Sequence, residues 1–171
     1  MKRHLVLVGL PGSGKTTVGT LVARQLGAPF VDIDALIVRR EGRPVALIFA
    51  ERGEAAFRDM ERHAVQAALA REPAVIAPGG GWASQEGVLA EARSAALLVY
   101  LRTQPDTAAR RAGPGNRPTL MGGDPGDLMR GLLRDREAAY LEADVTVETE
   151  GRSADDVAAE VVSLARARGG W

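Results

Sequence analysis

The stretch Gly9-Leu10-Pro11-Gly12-Ser13-Gly14-Lys15-Thr16 decides the fold of this chain. It fits the pattern G-x-x-x-x-G-K-[ST], in which glycines let successive backbone N–H groups turn inward around phosphate oxygens. A short apolar run over residues 5–8 precedes it, and residues 15–26 carry apolar side chains at helical spacing. The order of strand, glycine-rich loop and helix is the context that a phosphate-binding loop (P-loop) requires. We therefore expect a nucleotide site at the end of the first strand.

Short apolar runs alternate with helical patterns through the rest of the chain. Strands are predicted over residues 5–8, 29–34, 74–77, 95–101 and 145–147, and helices over 15–26, 35–41, 44–51, 54–71, 84–93, 106–111, 127–142 and from Ser153 onward. This alternation predicts one α/β domain over residues 1–171, a five-stranded parallel sheet with helices on both faces. Ligands of such sheets lie at the carboxyl ends of the strands.

Composition excludes several classes of function. Lysine plus arginine (22) balances aspartate plus glutamate (22), which removes the electrostatic argument for a nucleic-acid or membrane binder. The absence of cysteine excludes disulfides and thiolate chemistry. No apolar run approaches the roughly 20 residues of a membrane helix, and no signal-peptide core is visible. We expect a cytoplasmic monomer.

Lysine is used sparingly in this chain. Its 22 basic residues include only two lysines, Lys2 and Lys15, and the second lies in the P-loop. Lys15 would bridge the β- and γ-phosphates of ATP, and the Thr16 hydroxyl would ligate Mg²⁺. The residues expected to bind the nucleotide through this loop are Gly12, Ser13, Gly14, Lys15, Thr16 and Thr17.

Two carboxylates end the second predicted strand, in Asp32-Ile33-Asp34. Strand alternation would place both on one face. One could hold Mg²⁺ through water, and the other could orient or deprotonate an attacking hydroxyl. The structural alternative is a helix N-cap at Asp34 and a solvated Asp32.

Two further features suggest an acceptor site. Glu54, Arg58 and Glu61 share one helical face, so the two carboxylates could hold Arg58 toward a substrate carboxylate, or the three could form an ordinary surface ion-pair ladder. Gly79-Gly80-Gly81 could bring bare backbone close to a ligand or could form a tight turn. Trp82 after it either borders the acceptor pocket or anchors the loop.

A glycine- and proline-rich segment, about residues 112–126, interrupts the regular pattern. Because regular structure resumes on both sides, such a segment inside a domain is usually a functional loop and not a linker. We expect it to be a mobile lid.

In order and spacing, these motifs resemble the shikimate kinase family over residues 5 to about 147. The resemblance rests on the P-loop, Asp32-x-Asp34, Gly53-Glu54…Phe57-Arg58…Glu61, Gly79-Gly80-Gly81, Arg117-Pro118 and Arg136…Tyr140…Ala143-Asp144. It implies the nucleoside-monophosphate-kinase-like architecture of P-loop kinases. The implied reaction transfers the ATP γ-phosphate to the 3-hydroxyl of shikimate on the pathway to chorismate and the aromatic amino acids.

The resemblance also implies roles for individual residues. Asp34 would bind shikimate hydroxyls and act as the base, with residues 34–61 as the acceptor-binding region. Arg58 and Arg136 would clamp the carboxylate, and the backbone of Gly79, Gly80 and Gly81 would meet a hydroxyl. On the nucleotide side, Asp32 would support Mg²⁺ through water, Arg117 would be the catalytic lid arginine, and Arg110 and Arg152 would lie near adenine, although adjacent Arg111 competes with Arg110 for that place.

Other functions stay open at this point. One is another small-molecule P-loop kinase, of the gluconate or nucleoside-monophosphate type, and another is a non-catalytic nucleotide-binding module. The paired arginines favour an acceptor that carries a carboxylate. A candidate base, a glycine run and a lid arginine in one chain argue against the non-catalytic module.

Overall fold

The computed structural model of the chain describes residues 1–113 and 123–171. The strands are β1 (His4–Val8), β2 (Phe30–Asp32), β3 (Val75–Ala77), β4 (Ala96–Arg102) and β5 (Val145–Glu148), and the helices are α1 (Lys15–Leu26), α2 (Ile33–Glu41), α3 (Val45–Leu69), α4 (Val88–Arg93), α5 (Pro105–Ala112), α6 (Pro125–Tyr140) and α7 (Ala154–Arg168). A 3₁₀ turn, Trp82–Ser84, lies between β3 and α4.

The strands form one parallel sheet in the order β2-β3-β1-β4-β5. Central strand β1 is buried on both faces, because Leu5 and Leu7 pack with α1 and α7 while Val6 and Val8 pack with α2, α3 and α6. This arrangement confirms the predicted five-stranded sheet covered by helices on both sides. Among residues 1–113 and 123–171, no helix has the length and apolarity needed to span a bilayer.

All the strands end at the same edge of the sheet, because all of them run parallel. The P-loop follows β1, Asp32 ends β2, and the run Gly79-Gly80-Gly81 comes shortly after β3. The fold therefore brings together three segments that are separated by about 20 to 50 residues in the sequence.

Strand β2 is shorter than predicted, and the strand-alternation argument for Asp32 and Asp34 is wrong. The Asp32 side chain accepts a hydrogen bond from the Ala35 backbone N–H (3.1 Å) and so caps α2. Aspartate is among the strongest N-cap residues, and this bond ends the strand two residues early. Asp34 therefore lies in the first turn of α2.

Two helix boundaries also differ from the prediction. The segments predicted over 44–51 and 54–71 run together as α3, with a kink at Gly53, whose φ is 84°. Helix α4 begins after Gly87 (φ 81°) and not at Ser84, which closes the 3₁₀ turn through an N–H bond to the Gly81 carbonyl (3.3 Å). Trp82 is buried in the core, so it anchors this turn.

Candidate active site

The P-loop wraps around the first turn of α1. Gly12 (φ 78°) and Gly14 (φ 95°) adopt left-handed conformations that side-chain-bearing residues rarely reach. Lys15 is buried, and its Nζ donates to the carbonyls of Gly9 and Leu10 (2.8 Å each). A glycine-rich loop, a helix N-terminus and an ammonium group thus lie together here, an arrangement that suits a polyphosphate.

Hydrogen bonds from β4 and β5 brace the P-loop from behind. The Thr103 hydroxyl lies 2.6 Å from the Thr149 hydroxyl and 3.5 Å from the Ser13 carbonyl, and its single proton serves one of these two oxygens at a time. The Thr149 hydroxyl donates to the Arg102 carbonyl (2.9 Å), so the two strand ends are joined here. No sequence motif marks this pair of threonines, which only the sheet topology brings together.

Thr16 and Asp32 meet at the open side of the P-loop. The Thr16 hydroxyl donates to Asp32 Oδ2 (3.0 Å), while the other carboxylate oxygen caps α2. Hydroxyl and carboxylate oxygens are the ligand types that Mg²⁺ prefers in nucleotide sites. The donors present at this point therefore fit a magnesium ion.

A cleft of about 230 Å³ extends from the P-loop toward α7. Thr17, Arg111 and Arg152 line it, and it is closed at the back by Val18 and Val157. Arg110, which was expected near adenine, does not line the cleft, since its guanidinium donates to Thr107 on its own helix (3.2 Å). The helical phase could have separated the two arginines, because Arg111 follows buried Ala108 by three residues and so shares its inward face.

The glycine run packs tightly against four charged side chains. A methyl group at Gly79 would overlap Glu61 Oε2 and lie 2.9 Å from Asp34 Oδ1. A methyl group at Gly81 would overlap the guanidinium of Arg58. These contacts, and not backbone strain, explain why side chains are absent here.

The middle glycine joins the two halves of the site. A methyl group at Gly80 would lie 2.8 Å from Pro11 Cδ in the P-loop and 3.1 Å from Arg136 Nη1 on α6. The Tyr140 hydroxyl donates to the Gly80 carbonyl (2.6 Å), and burial raises the pKa of Tyr140 to about 12, which keeps the donor protonated. Arg136 is therefore held beside the glycine run and next to the phosphate loop.

Arg58 is held from several sides. Its Nη1 donates to Glu61 Oε1 (3.1 Å), and its Nη2 lies 3.5 Å from Glu54 Oε1. The guanidinium also lies over the rings of Phe49 and Phe57, 5.8 and 5.7 Å from their centroids. Because Glu61 is fully buried, the group is not a surface ion-pair ladder.

The pKa of the Glu61 carboxyl group is strongly raised. Burial raises its pKa to about 7, and the negative charge of Asp34 adds to the rise, while Arg58 and the Gly79 backbone oppose it. Gln85 Nε2 also donates to Glu61 Oε1 (3.0 Å). The sequence motifs did not single out Gln85, and its place in the site depends on the 3₁₀ turn after the glycine run.

Beyond the P-loop itself, the site residues expected from the sequence thus fall into four groups. Asp34, Arg58, the glycine run and Arg136 are together beside the P-loop, while Thr17 and Arg152 line the cleft at its other side. Arg110 lies outside that cleft. Arg117 and most of the predicted lid lie outside the described residues.

A parallel sheet with a P-loop at its edge and an arginine-lined pocket beside it is typical of a small-molecule P-loop kinase. Comparison with known proteins identifies the family. The shikimate kinase family model matches residues 11–166. The chain belongs to the shikimate kinase family.

Individual relatives agree with this assignment. A shikimate kinase of Moorella thermoacetica is 42% identical over 168 residues, which cover 98% of this chain and 96% of that protein. One of Mycobacterium avium is 43% identical over 166 residues, with 95% and 93% covered. The structure of shikimate kinase from Acinetobacter baumannii in complex with shikimate superposes with a TM-score of 0.93 at 34% identity and covers 98% of this chain and 94% of that one.

Substitution of Gly81 tests the packing of the glycine run. In Gly81→Ala the new methyl group displaces the guanidinium of Arg58, which can move because it is the end of a flexible side chain. We expect KM for the acceptor to rise by about 10-fold or more, the equivalent of one charge-assisted hydrogen bond. KM for ATP should change by less than about twofold.

Gly131→Ala is the matched control. A methyl group there meets only Arg134 Nη2 at 3.6 Å, and alanine is favoured in a helix interior. Steady-state kinetics with each substrate varied would measure both variants. Equal acceptor KM values for the two variants would contradict the packing argument.

Proposed function

We propose that this chain transfers the γ-phosphoryl group of ATP to the 3-hydroxyl of shikimate and so forms shikimate 3-phosphate. The observation that carries the proposal is the contact of one three-residue backbone run with both arginines and with the P-loop. Gly81 meets Arg58, and Gly80 meets both Arg136 and Pro11. An anion held by these arginines therefore lies next to the phosphates.

The chemistry of shikimate matches the acceptor side of the site. Its carboxylate would pair with the guanidinium groups of Arg58 and Arg136, which offer forked N–H donors. Its hydroxyls would meet the Asp34 carboxylate and the backbone around Gly79 and Gly80. Bare backbone at these positions leaves Asp34, Arg58 and Arg136 in place for the acceptor, because a side chain at any of the three glycines would crowd or displace one of them.

Asp34 is the proposed base. As the hydroxyl oxygen forms its bond to the γ-phosphorus, the bond between that phosphorus and the β,γ-bridging oxygen breaks and ADP leaves. The proton of the acceptor hydroxyl passes to the Asp34 carboxylate. The position of Asp34 supports this role, because it lies on the first turn of α2 with its carboxylate against Gly79 of the glycine run.

The phosphate side supplies positive charge. Lys15 and the P-loop N–H groups would hold the β- and γ-phosphates as charge develops on the transferred group. We propose that Thr16 ligates Mg²⁺ and that Asp32 does so through water, as their hydrogen bond suggests. Bound with ATP, Mg²⁺ neutralises phosphate charge. By family resemblance, Arg117 would add a further cation from the lid.

The cellular setting is part of the same proposal. We propose a cytoplasmic monomer that acts on ATP and shikimate and uses neither nucleic acid nor membrane. The formal net charge is zero. Within the described residues, the exposed large apolar side chains are Met1, Leu47 and Leu141, which are far apart in the sequence.

An acceptor panel tests the function. ATP consumption with Mg²⁺ would be measured with shikimate, gluconate, nucleoside monophosphates and no acceptor. Turnover with shikimate alone is expected, and phosphate should be found on its 3-hydroxyl. Turnover only with gluconate or a nucleotide would overturn the substrate assignment. ATP binding without turnover on any acceptor would indicate the non-catalytic module.

Replacement of the P-loop lysine should abolish turnover. Lys15→Ala removes a buried ammonium group from the phosphate site, and we expect kcat to fall by about 100-fold or more. Lys2→Ala is the matched control, because Lys2 is the only other lysine and its Nζ lies over the ring of terminal Trp171 (4.8 Å). Lys15→Ala activity within about threefold of the wild type would refute the phosphate assignment.

Adjacent arginines offer a second paired test. Arg111→Ala should raise KM for ATP by about 10-fold, since Arg111 lines the cleft beside the P-loop. Arg110→Ala should change it by less than about twofold. Initial rates at varied ATP would measure both. A larger rise in KM for ATP in Arg110→Ala than in Arg111→Ala would instead indicate that Arg110 contacts adenine.

A further inference from the structure

We propose that Gln85 is a positioning residue that holds Glu61, and through it Arg58, in place for the acceptor carboxylate. The proposal rests on the function proposed above and adds a residue that the shared motifs do not contain. The proposal is based on the two hydrogen bonds that one carboxylate oxygen of Glu61 accepts. Glu61 Oε1 accepts from Gln85 Nε2 (3.0 Å) and from Arg58 Nη1 (3.1 Å).

The backbone of Gln85 is firmly anchored. Its N–H donates to the Trp82 carbonyl (3.0 Å), and Trp82 itself is buried in the core. The amide that reaches Glu61 therefore stands on the fixed turn that follows the glycine run. A donor on a fixed turn favours the rotamer of its partner that it can reach.

Gln85 bridges two elements that both contact the acceptor pocket. Glu61 and Arg58 are on α3. Gln85 lies in the segment after β3, directly behind the glycine run and the 3₁₀ turn. The cleft of about 270 Å³ at this place is lined by Gln85 together with Arg58, Gly81 and Arg136. The Gln85–Glu61 bond is thus a cross-link between the backbone that meets the acceptor and the arginine that binds it.

Glu61 needs such a donor because it is fully buried. An ionised carboxylate without enough donors is costly in the interior, and a donor N–H favours the charged form. The charged or titratable groups around it are Arg58 on its own helix, Asp34 on α2, and Tyr140 on α6. Since the pKa of Glu61 is already raised to about 7, loss of the Gln85 donor should raise it further.

The first readout is kinetic. Gln85→Leu should raise KM for shikimate at pH 8.5 by about fivefold and leave kcat and KM for ATP within about twofold, because only the acceptor arginine loses its support. Gln85→Met keeps the length of the side chain and lacks the donor, so the same kinetic changes are expected. It serves as the test variant if the branched leucine impairs folding. The double variant with Glu61→Gln should be no worse than Glu61→Gln alone.

The matched control is Gln66→Leu. Gln66 Nε2 makes the same kind of bond to a glutamate, Glu91 Oε2 (3.2 Å), from an exposed position on α3. Loss of this bond in Gln66→Leu should leave kcat, KM for shikimate and KM for ATP unchanged. Equal effects on kcat and both KM values, or no effect, in Gln85→Leu and Gln85→Met would overturn the proposal. So would additive losses in the double variant, which would indicate direct contact with the acceptor.

The second readout does not depend on the acceptor. The side-chain carboxyl carbon of Glu61 would be titrated by NMR in the whole protein, and its midpoint should move upward in Gln85→Leu and stay in place in Gln66→Leu. An unmoved midpoint would overturn the proposal. If the wild type failed to use shikimate, the substrate assignment would fall, and this titration would still decide the role of Gln85.

Discussion

The lack of room around Gly79, Gly80 and Gly81 is the constraint on which the site depends. Three bare backbone positions are packed against Asp34 and Glu61 on one side, Arg58 and Arg136 on another, and Pro11 of the P-loop on a third. Because the parallel sheet brings β1 and β3 side by side, the loops that follow them must touch. In the proposed mechanism, that contact brings the acceptor next to the transferred phosphoryl group.

Both ion pairing and burial set the charge of the proposed acceptor pocket, because burial changes how far the Glu61 carboxyl group is ionised. Two guanidinium groups converge on the glycine run, and the one fully buried carboxylate among their neighbours is Glu61 within the described residues. Burial lifts its pKa to about 7, so it neutralises only part of the arginine charge near neutral pH. Partial protonation of Glu61 thus leaves Arg58 more of its charge for an anionic acceptor. Glu61 is thus both the support of Arg58 and a limit on its charge.

The sequence predicted the fold because apolar runs and glycine stops are local signals. Five short runs with a P-loop after the first were enough for the sheet, and the motif spacing was enough for the family. Boundaries failed where a side chain competed with the pattern. Asp32 caps α2 and so ends β2 early. A different cause acts at α4, which begins after the left-handed Gly87 and not at Ser84.

Site residues were harder to predict where they depend on helical phase or on long-range packing. Arg110 and Arg111 are adjacent in sequence, and only the inward face of α5 separates them. Gln85 belongs to no motif. Its amide reaches Glu61 because buried Trp82 fixes the turn that precedes Gln85. The Thr103–Thr149 bond likewise needs the β4–β5 pairing, which sequence patterns do not reveal.

The central claim is that the acceptor is selected through its carboxylate by Arg58 and Arg136. The most direct measurement compares shikimate with its methyl ester, which keeps the ring and all the hydroxyls, as acceptors for the wild-type enzyme. The account predicts that kcat/KM for the ester is lower by about 100-fold or more, as expected for the loss of two charge-assisted contacts, with KM for ATP unchanged. Comparable kcat/KM values for the acid and the ester would contradict it.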